Sequence, residues 1–158
     1  MKRSAFLGLS ALAVTAVAAF AGEVAPGDVQ FDDYGAVEMS LTGVAGDPAV
    51  GAEIMSSRGG GNCVACHQVS ALTAAFQGNV GPALDGVANV WGEAELRGIV
   101  ANAKMTFDGT IMPSFYRSGE GYIRPGDAFT GKAGTNLSPL LTAQQVEDVV
   151  AYLMTLKE

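Results

Sequence analysis

Five consecutive residues, Cys63-Val64-Ala65-Cys66-His67, hold both cysteines and the only histidine of a 158-residue chain. Two thiols and an imidazole at this spacing form the C-x-x-C-H pattern of c-type haem attachment. Two intervening residues let one tight turn aim both sulfurs at the two vinyl groups of a single haem, and each thiol adds to a vinyl to give a thioether. The histidine follows directly, so its ring rises on the same turn beneath the iron as the proximal ligand. Competing chemistries fit less well. A thioredoxin-like redox pair expects a βαβ surround, and the sequence offers none. Structural zinc usually takes four Cys or His ligands, and this chain has three in all. One covalent haem c is therefore expected, attached at Cys63 and Cys66 and ligated by His67.

A lone histidine excludes bis-histidine ligation. Methionine is the usual remaining sixth ligand, and its soft thioether favours ferrous iron and raises the reduction potential. Beyond Met1 the candidates are Met39, Met55, Met105, Met112 and Met154. Met55 and Met154 fall in helical patterns, where methionine usually fills core space, and Met39 precedes the first helix. Met105 and Met112 lie in loop sequence after the haem motif. Met112 precedes Pro113, which holds its backbone extended, so "TIMPSF" presents a sulfur from a stiff segment. Met112 is the expected ligand; Met105, another group or an open position are the alternatives. Metal-bound histidine usually donates its other N–H to a carbonyl or carboxylate. Glycine at 81 permits close approach, and Pro82 offers a carbonyl, so the Pro82 oxygen is the expected acceptor, with a plain Gly-Pro turn as the alternative. Trp91, Phe76, Phe107, Phe115, Tyr116, Tyr122 and Phe129 line the haem or fill the core; the sequence does not choose.

Three helical patterns position these residues. In "GDPAVGAEIMSSRGGG", Asp47 is an N-cap, Pro48 fits the first helical position, and Gly59-Gly60-Gly61 is a stop. "GEAELRGIVANAK" puts Leu96, Ile99, Val100 and Ala103 on one face. "LTAQQVEDVVAYLMTLKE" opens with Thr142 and Gln145 in capping-box spacing. It continues with Val146, Val149, Val150, Leu153 and Leu156 at helical period. Residues 71–92 and 105–140 read as irregular, and no strand pattern stands out. Such a plan makes a thin core unless a large flat cofactor fills its middle.

The first residues read as a targeting segment. Lys2 and Arg3 precede an apolar run of about 17 residues that ends in Ala19-Phe20-Ala21, an A-x-A cleavage signal. The run is marginal for spanning a membrane, so cleavage near Ala21/Gly22 and export to the periplasm are expected, with no membrane insertion afterwards. The expected organisation is a signal peptide at 1–21, an irregular acidic extension at 22–46 laid on the domain or a partner, and a haem-binding domain at 47–158. Without residues 1–21, seven basic and sixteen acidic residues remain, nine negative charges with His neutral. That balance argues against nucleic acid as a partner.

The order of a helix, "CVACH", "VGPAL", a second helix, "IMPSF" and a final amphipathic helix resembles the class I cytochromes c. "GNCVACHQV", "GNVGPALDGVANVW", "AELRGIV", "MPSFYR" and "LTAQQVEDVVAYLMTLK" together resemble the SoxX family of monohaem cytochrome subunits, from about Gly51 to Lys157. The resemblance implies an all-α fold of three to four helices around a covalent haem, with long loops. It implies His67 and Met112 as axial ligands. It also implies a heterodimer with a SoxA-like c-type cytochrome, acting as an L-cysteine S-thiosulfotransferase that joins thiosulfate to a carrier-protein cysteine. The catalytic cysteine belongs to the partner, and this chain passes electrons to a downstream acceptor. The rival readings are a freestanding cytochrome c that shuttles electrons to an oxidase or reductase, and a gas-sensing haem module, which a filled sixth position disfavours.

Overall fold

In a computed structural model, residues 22–119, Tyr122 and residues 138–158 are described. The expected signal peptide, and most of the Gly-rich run between Arg117 and Ser138, lie outside the described residues. Among the described residues four helices carry the fold: α1 Pro48–Ser56, α2 Val87–Val90, α3 Glu93–Asn102 and α4 Ala143–Leu153. Single 3-10 turns cover Cys63–Ala65 and Ala103–Met105. No strand occurs among the described residues.

Local chemistry sets the helix ends. The Asp47 carboxylate accepts from the backbone N–H groups of Ala49 (2.8 Å) and Val50 (3.4 Å), and Pro48 needs no donor partner in the first turn. Thr142 Oγ1 accepts from Gln145 N at 3.2 Å while Gln145 Oε1 accepts from Thr142 N at 2.9 Å, a reciprocal capping box. Three sequence expectations need correction. Helix α1 stops at Ser57, where the backbone turns extended, before it reaches the glycines. The left-handed residue that starts the attachment turn is Asn62 (φ 49°). The stretch 71–92 holds one helical turn, α2, entered through Gly86 in the left-handed region (φ 70°). Helix α4 ends at Leu153, yet Leu156 beyond it is still buried.

Helix α4 is the centre of the packing, against α1 on one side and α3 on the other. Val146, Val149, Val150 and Leu153 meet Ile54 and Met55 of α1 and Leu96 and Val100 of α3 in one core cluster. Each fully buried aliphatic side chain contributes about 1.5–3 kcal/mol. The crossing of α1 over α4 needs a glycine. A Cβ on Gly51 would fall against the Asp148 carbonyl and within 2.9 Å of Tyr152 Cβ.

Residues 22–46 have no regular element but are part of this core: Val37 and Leu41 are buried among the helices. Val37 N donates to Ala94 O at 2.9 Å, and Leu41 N donates to the Glu147 carboxylate at 2.6 Å. That carboxylate also pairs with Arg97, whose Nε lies 3.0 and 3.2 Å from its two oxygens. Arg97 Nη1 donates to Val37 O at 2.9 Å, and Nη2 bonds Glu93 as well. Arg97 therefore points inward on α3, beside Leu96 and Val100. Its partners raise the guanidinium pKa although burial opposes that.

Candidate haem-attachment site

Asn62 opens the attachment turn, and Cys63 O then accepts from both Cys66 N (3.1 Å) and His67 N (3.0 Å). One coil of backbone so brings Cys63, Cys66 and His67 together. Both thiols are free; Cys63 is half-buried and Cys66 exposed. Burial pushes the Cys63 thiol up to about 12, its own backbone hydrogen bond opposing and the neighbouring Cys66 adding to the rise.

A second segment, 77–85, runs back over the turn and is fastened to it. Gly78 N donates to Val64 O (2.8 Å), Gly81 N to Cys66 O (2.8 Å) and Leu84 N to Gln68 O (2.9 Å). Gln77 adds a side-chain clamp: its Oε1 accepts from Val69 N at 2.6 Å, and its amide donates to Val69 O and Leu72 O at 3.1 and 2.9 Å. Asp85 accepts from Ser70 N (2.9 Å) and Ser70 Oγ (2.8 Å). Sequence reasoning missed Gln77 and Asp85, because neither stands in a recognisable motif.

This fastening sets the imidazole. Pro82 O lies 2.7 Å from His67 Nδ1. A carbonyl can only accept, so the proton of a neutral ring sits on Nδ1 and Nε2 presents its lone pair. Gly81 lies flat against the ring, and a Cβ there would be 2.6 Å from Nδ1 and 2.8 Å from Nε2. Two thiols outside any disulfide and an imidazole ring oriented through Nδ1, with Nε2 on its other side, are the donor set that a covalent haem needs.

Met112 lies on a separate segment docked at the C-terminal end of α3. Phe115 N and Tyr116 N donate to Val100 O (3.4 Å) and Ala101 O (3.0 Å). Met112 N donates to Thr110 Oγ1 (3.2 Å), and Met112 O accepts from Lys104 Nζ (2.6 Å). Its side chain is half-buried against the core cluster, as is that of Cys63. The other methionines differ in exposure: Met55 is 0 % exposed, Met105 48 % and Met39 71 %. Among the aromatics, Phe115, Tyr116 and Tyr122 are core, whereas Phe76 is fully exposed. Trp91 and Phe107 meet edge to face with centroids 5.9 Å apart. Phe129 lies outside the described residues.

The family model for cytochrome c matches residues 49–157. A chain of the solved SoxXA structure from P. pantotrophus is 57% identical to this one, with a TM-score of 0.79. The match covers 87% of this chain and 100% of that one. The c-type cytochrome SorU from Sinorhizobium meliloti is 23% identical over 70% of this chain and 90% of its own, with a TM-score of 0.44, too loose a likeness to carry an argument. No curated protein matches the chain. No described helix is long and apolar enough to cross a membrane.

Proposed function

Since the chain belongs to the cytochrome c family, in its SoxX branch, we propose that it is the electron-accepting subunit of a SoxAX-type complex, paired with a SoxA-like c-type cytochrome. One covalent haem c is its cofactor and supplies a one-electron iron couple. Cys63 and Cys66 would hold that group through thioethers, His67 Nε2 and Met112 Sδ would ligate its iron, and Pro82 O orients His67. The observation that carries the reading is the attachment turn, with two free thiols beside an imidazole pinned at 2.7 Å by Pro82 O.

The reaction of the complex is oxidative. Joining thiosulfate to a thiol forms one sulfur–sulfur bond and releases one proton and two electrons. The nucleophilic and leaving chemistry belongs to the partner, because both cysteines here are spent on attachment. Bound at this site, the group would supply a one-electron couple, so this chain would take up the two electrons one at a time and pass each to a downstream acceptor. The chain is exported, with residues 1–21 as its signal peptide, and the complex works in the periplasm as an L-cysteine S-thiosulfotransferase.

Deletion of the gene tests the reading. Thiosulfate oxidation is lost and returns with the wild-type chain, but not with His67→Ala. Normal thiosulfate oxidation by the deletion strain refutes the assignment and leaves a freestanding electron shuttle. Purified from its native periplasm, the chain is expected in a one-to-one complex with a second c-type cytochrome.

A further inference from the structure

The segment that presents Met112 is held by more than its proline. Ser114 is buried, its Oγ donates to Asn102 Oδ1 at 2.6 Å, and its carbonyl accepts from the buried Tyr122 hydroxyl at 2.6 Å. Two residues earlier, Lys104 Nζ donates to Met112 O at 2.6 Å and Thr110 Oγ1 accepts from Met112 N at 3.2 Å. Asn102 is the last residue of α3, and Lys104 sits in the 3-10 turn that continues it. The two backbone bonds from Phe115 and Tyr116 go to the same helix end. All these anchors converge on 112–116, and none of them is the thioether itself. Pro113 has no N–H and a fixed φ, so the segment has little freedom left once its flanks are tied.

We propose that Ser114, with Asn102 and Lys104, is a positioning device for Met112. The clamp holds the sulfur where it competes with external ligands for the sixth position. The proposal rests on the reading of Met112 as that ligand. A methionine on a loose loop leaves the iron often and lets a small base in; a methionine on a tied segment must first break the clamp. Lost clamp energy therefore appears as tighter binding of an external ligand, because the competing state becomes cheaper to reach.

The test is imidazole binding to the oxidised holoprotein, followed by absorbance, with urea midpoints measured on the same samples. Ser114→Ala removes the bond to Asn102, and Lys104→Met removes the bond to the Met112 carbonyl. One hydrogen bond of ordinary strength corresponds to roughly two- to tenfold tighter imidazole binding in each variant. Lys104→Arg keeps a donor and is expected to stay near wild type. Val149→Ala, in the α1–α4 core, lowers the urea midpoint without touching the clamp and is expected to leave imidazole binding unchanged. Wild-type affinity in both Ser114→Ala and Lys104→Met overturns the proposal, and so does an equal shift in Val149→Ala. Met112→Ala separates the two layers. If the weak sulfur-to-iron absorption at the red end of the oxidised spectrum survives in that variant, the ligand reading fails and the clamp proposal falls with it. If the band disappears in Met112→Ala while the clamp variants bind imidazole like wild type, only the clamp is refuted.

Discussion

Gly81→Ala tests how the proximal histidine is held. Pro82 cannot be stripped of its carbonyl by substitution, so the contact must be attacked from the residue beside it. An added Cβ would fall against His67 Cε1 and stand 2.6 Å from Nδ1, where ordinary contact begins at 3.4 Å. Clearing Nδ1 alone takes about 0.8 Å and clearing Cε1 takes more, well beyond what a packed site absorbs without cost. If the whole retreat falls on the 2.7 Å bond from Nδ1 to Pro82 O, the bond opens to about 3.5 Å or more, where little of it survives. Overpacking costs about 1–3 kcal/mol, and the lost hydrogen bond adds about 0.5–1.5 kcal/mol. Urea denaturation of the holoprotein should show a loss of about 2–4 kcal/mol. The potential should shift too. A carbonyl on Nδ1–H makes the imidazole a stronger donor, which favours ferric iron; without it the potential rises, by roughly tens of millivolts. A variant with both wild-type stability and wild-type potential refutes the account of how His67 is oriented.

The Arg97–Glu147 pair is buried on both sides, and truncating one partner strands the other charge. Arg97→Met is expected to cost about 3–5 kcal/mol in urea denaturation, and Arg97→Met/Glu147→Met less than the sum of the single changes; strict additivity contradicts a direct pair. Tyr116 donates to Val24 O at 2.6 Å, and burial, followed by the Glu23 charge and hydrogen bond, raises its pKa to about 12 from an ordinary 10.0. The unfolded chain gives up this proton first, so Tyr116's share of stability is intact below pH 10 and fades as pH rises towards 12. Tyr116→Phe should flatten that part of a stability–pH curve, and an unchanged slope counts against the assignment. No charged residue occurs between Gly59 and Leu84, and the attachment turn and its fastening loop carry one carboxylate, Asp85, hydrogen-bonded to Ser70. Electron exchange through that face should depend weakly on salt in stopped-flow measurements, and a steep dependence would place the exchange on an acidic face instead.

Much of the site was legible because covalent chemistry leaves little freedom in residue type. Cys63, Cys66 and His67 announce themselves by spacing, and the lone histidine narrows the sixth ligand to a few methionines. Pro82 was legible because a carbonyl beside a glycine is a natural acceptor for a ring N–H. Gln77, Asp85, Asn102 and Ser114 were not, since a hydrogen bond between segments 8 to 15 residues apart has no local pattern. The fold followed the same division. Capping at Asp47 and Thr142 is local and was readable, as was the apolar stripe of α4. The inward turn of Arg97 was hidden because its partner Glu147 lies 50 residues away, and a cation amid an apolar face looks like a break in the stripe until that partner is known. The burial of Val37 and Leu41 escaped for a related reason: without helical or strand period, nothing in residues 22–46 marks which side chains face the core.

The distribution of charge bears on how the centre is tuned. The groups that hold Cys63, Cys66 and His67 are backbone amides, the Gln77 amide and the Pro82 carbonyl, all uncharged. The acids lie outside residues 59–84, and Glu147 is matched by Arg97. A carboxylate close to the iron would favour the ferric state and pull the potential down; the sequence keeps such groups off residues 59–84, and Asp85 at the end of the fastening loop is taken up by Ser70. With His67 and Met112 as the proposed ligands, what remains to set the potential is the soft Met112 sulfur, the Pro82 bond to His67, and burial of the centre. Two of those three depend on segments tied to neighbours by identifiable hydrogen bonds, 77–85 to the attachment turn and 112–116 to the end of α3. On the proposed ligation the potential depends on loop anchoring: Gly81→Ala should move it from the proximal side, Ser114→Ala should loosen the methionine side, and neutralising an exposed carboxylate such as Glu53 should leave it nearly where it was.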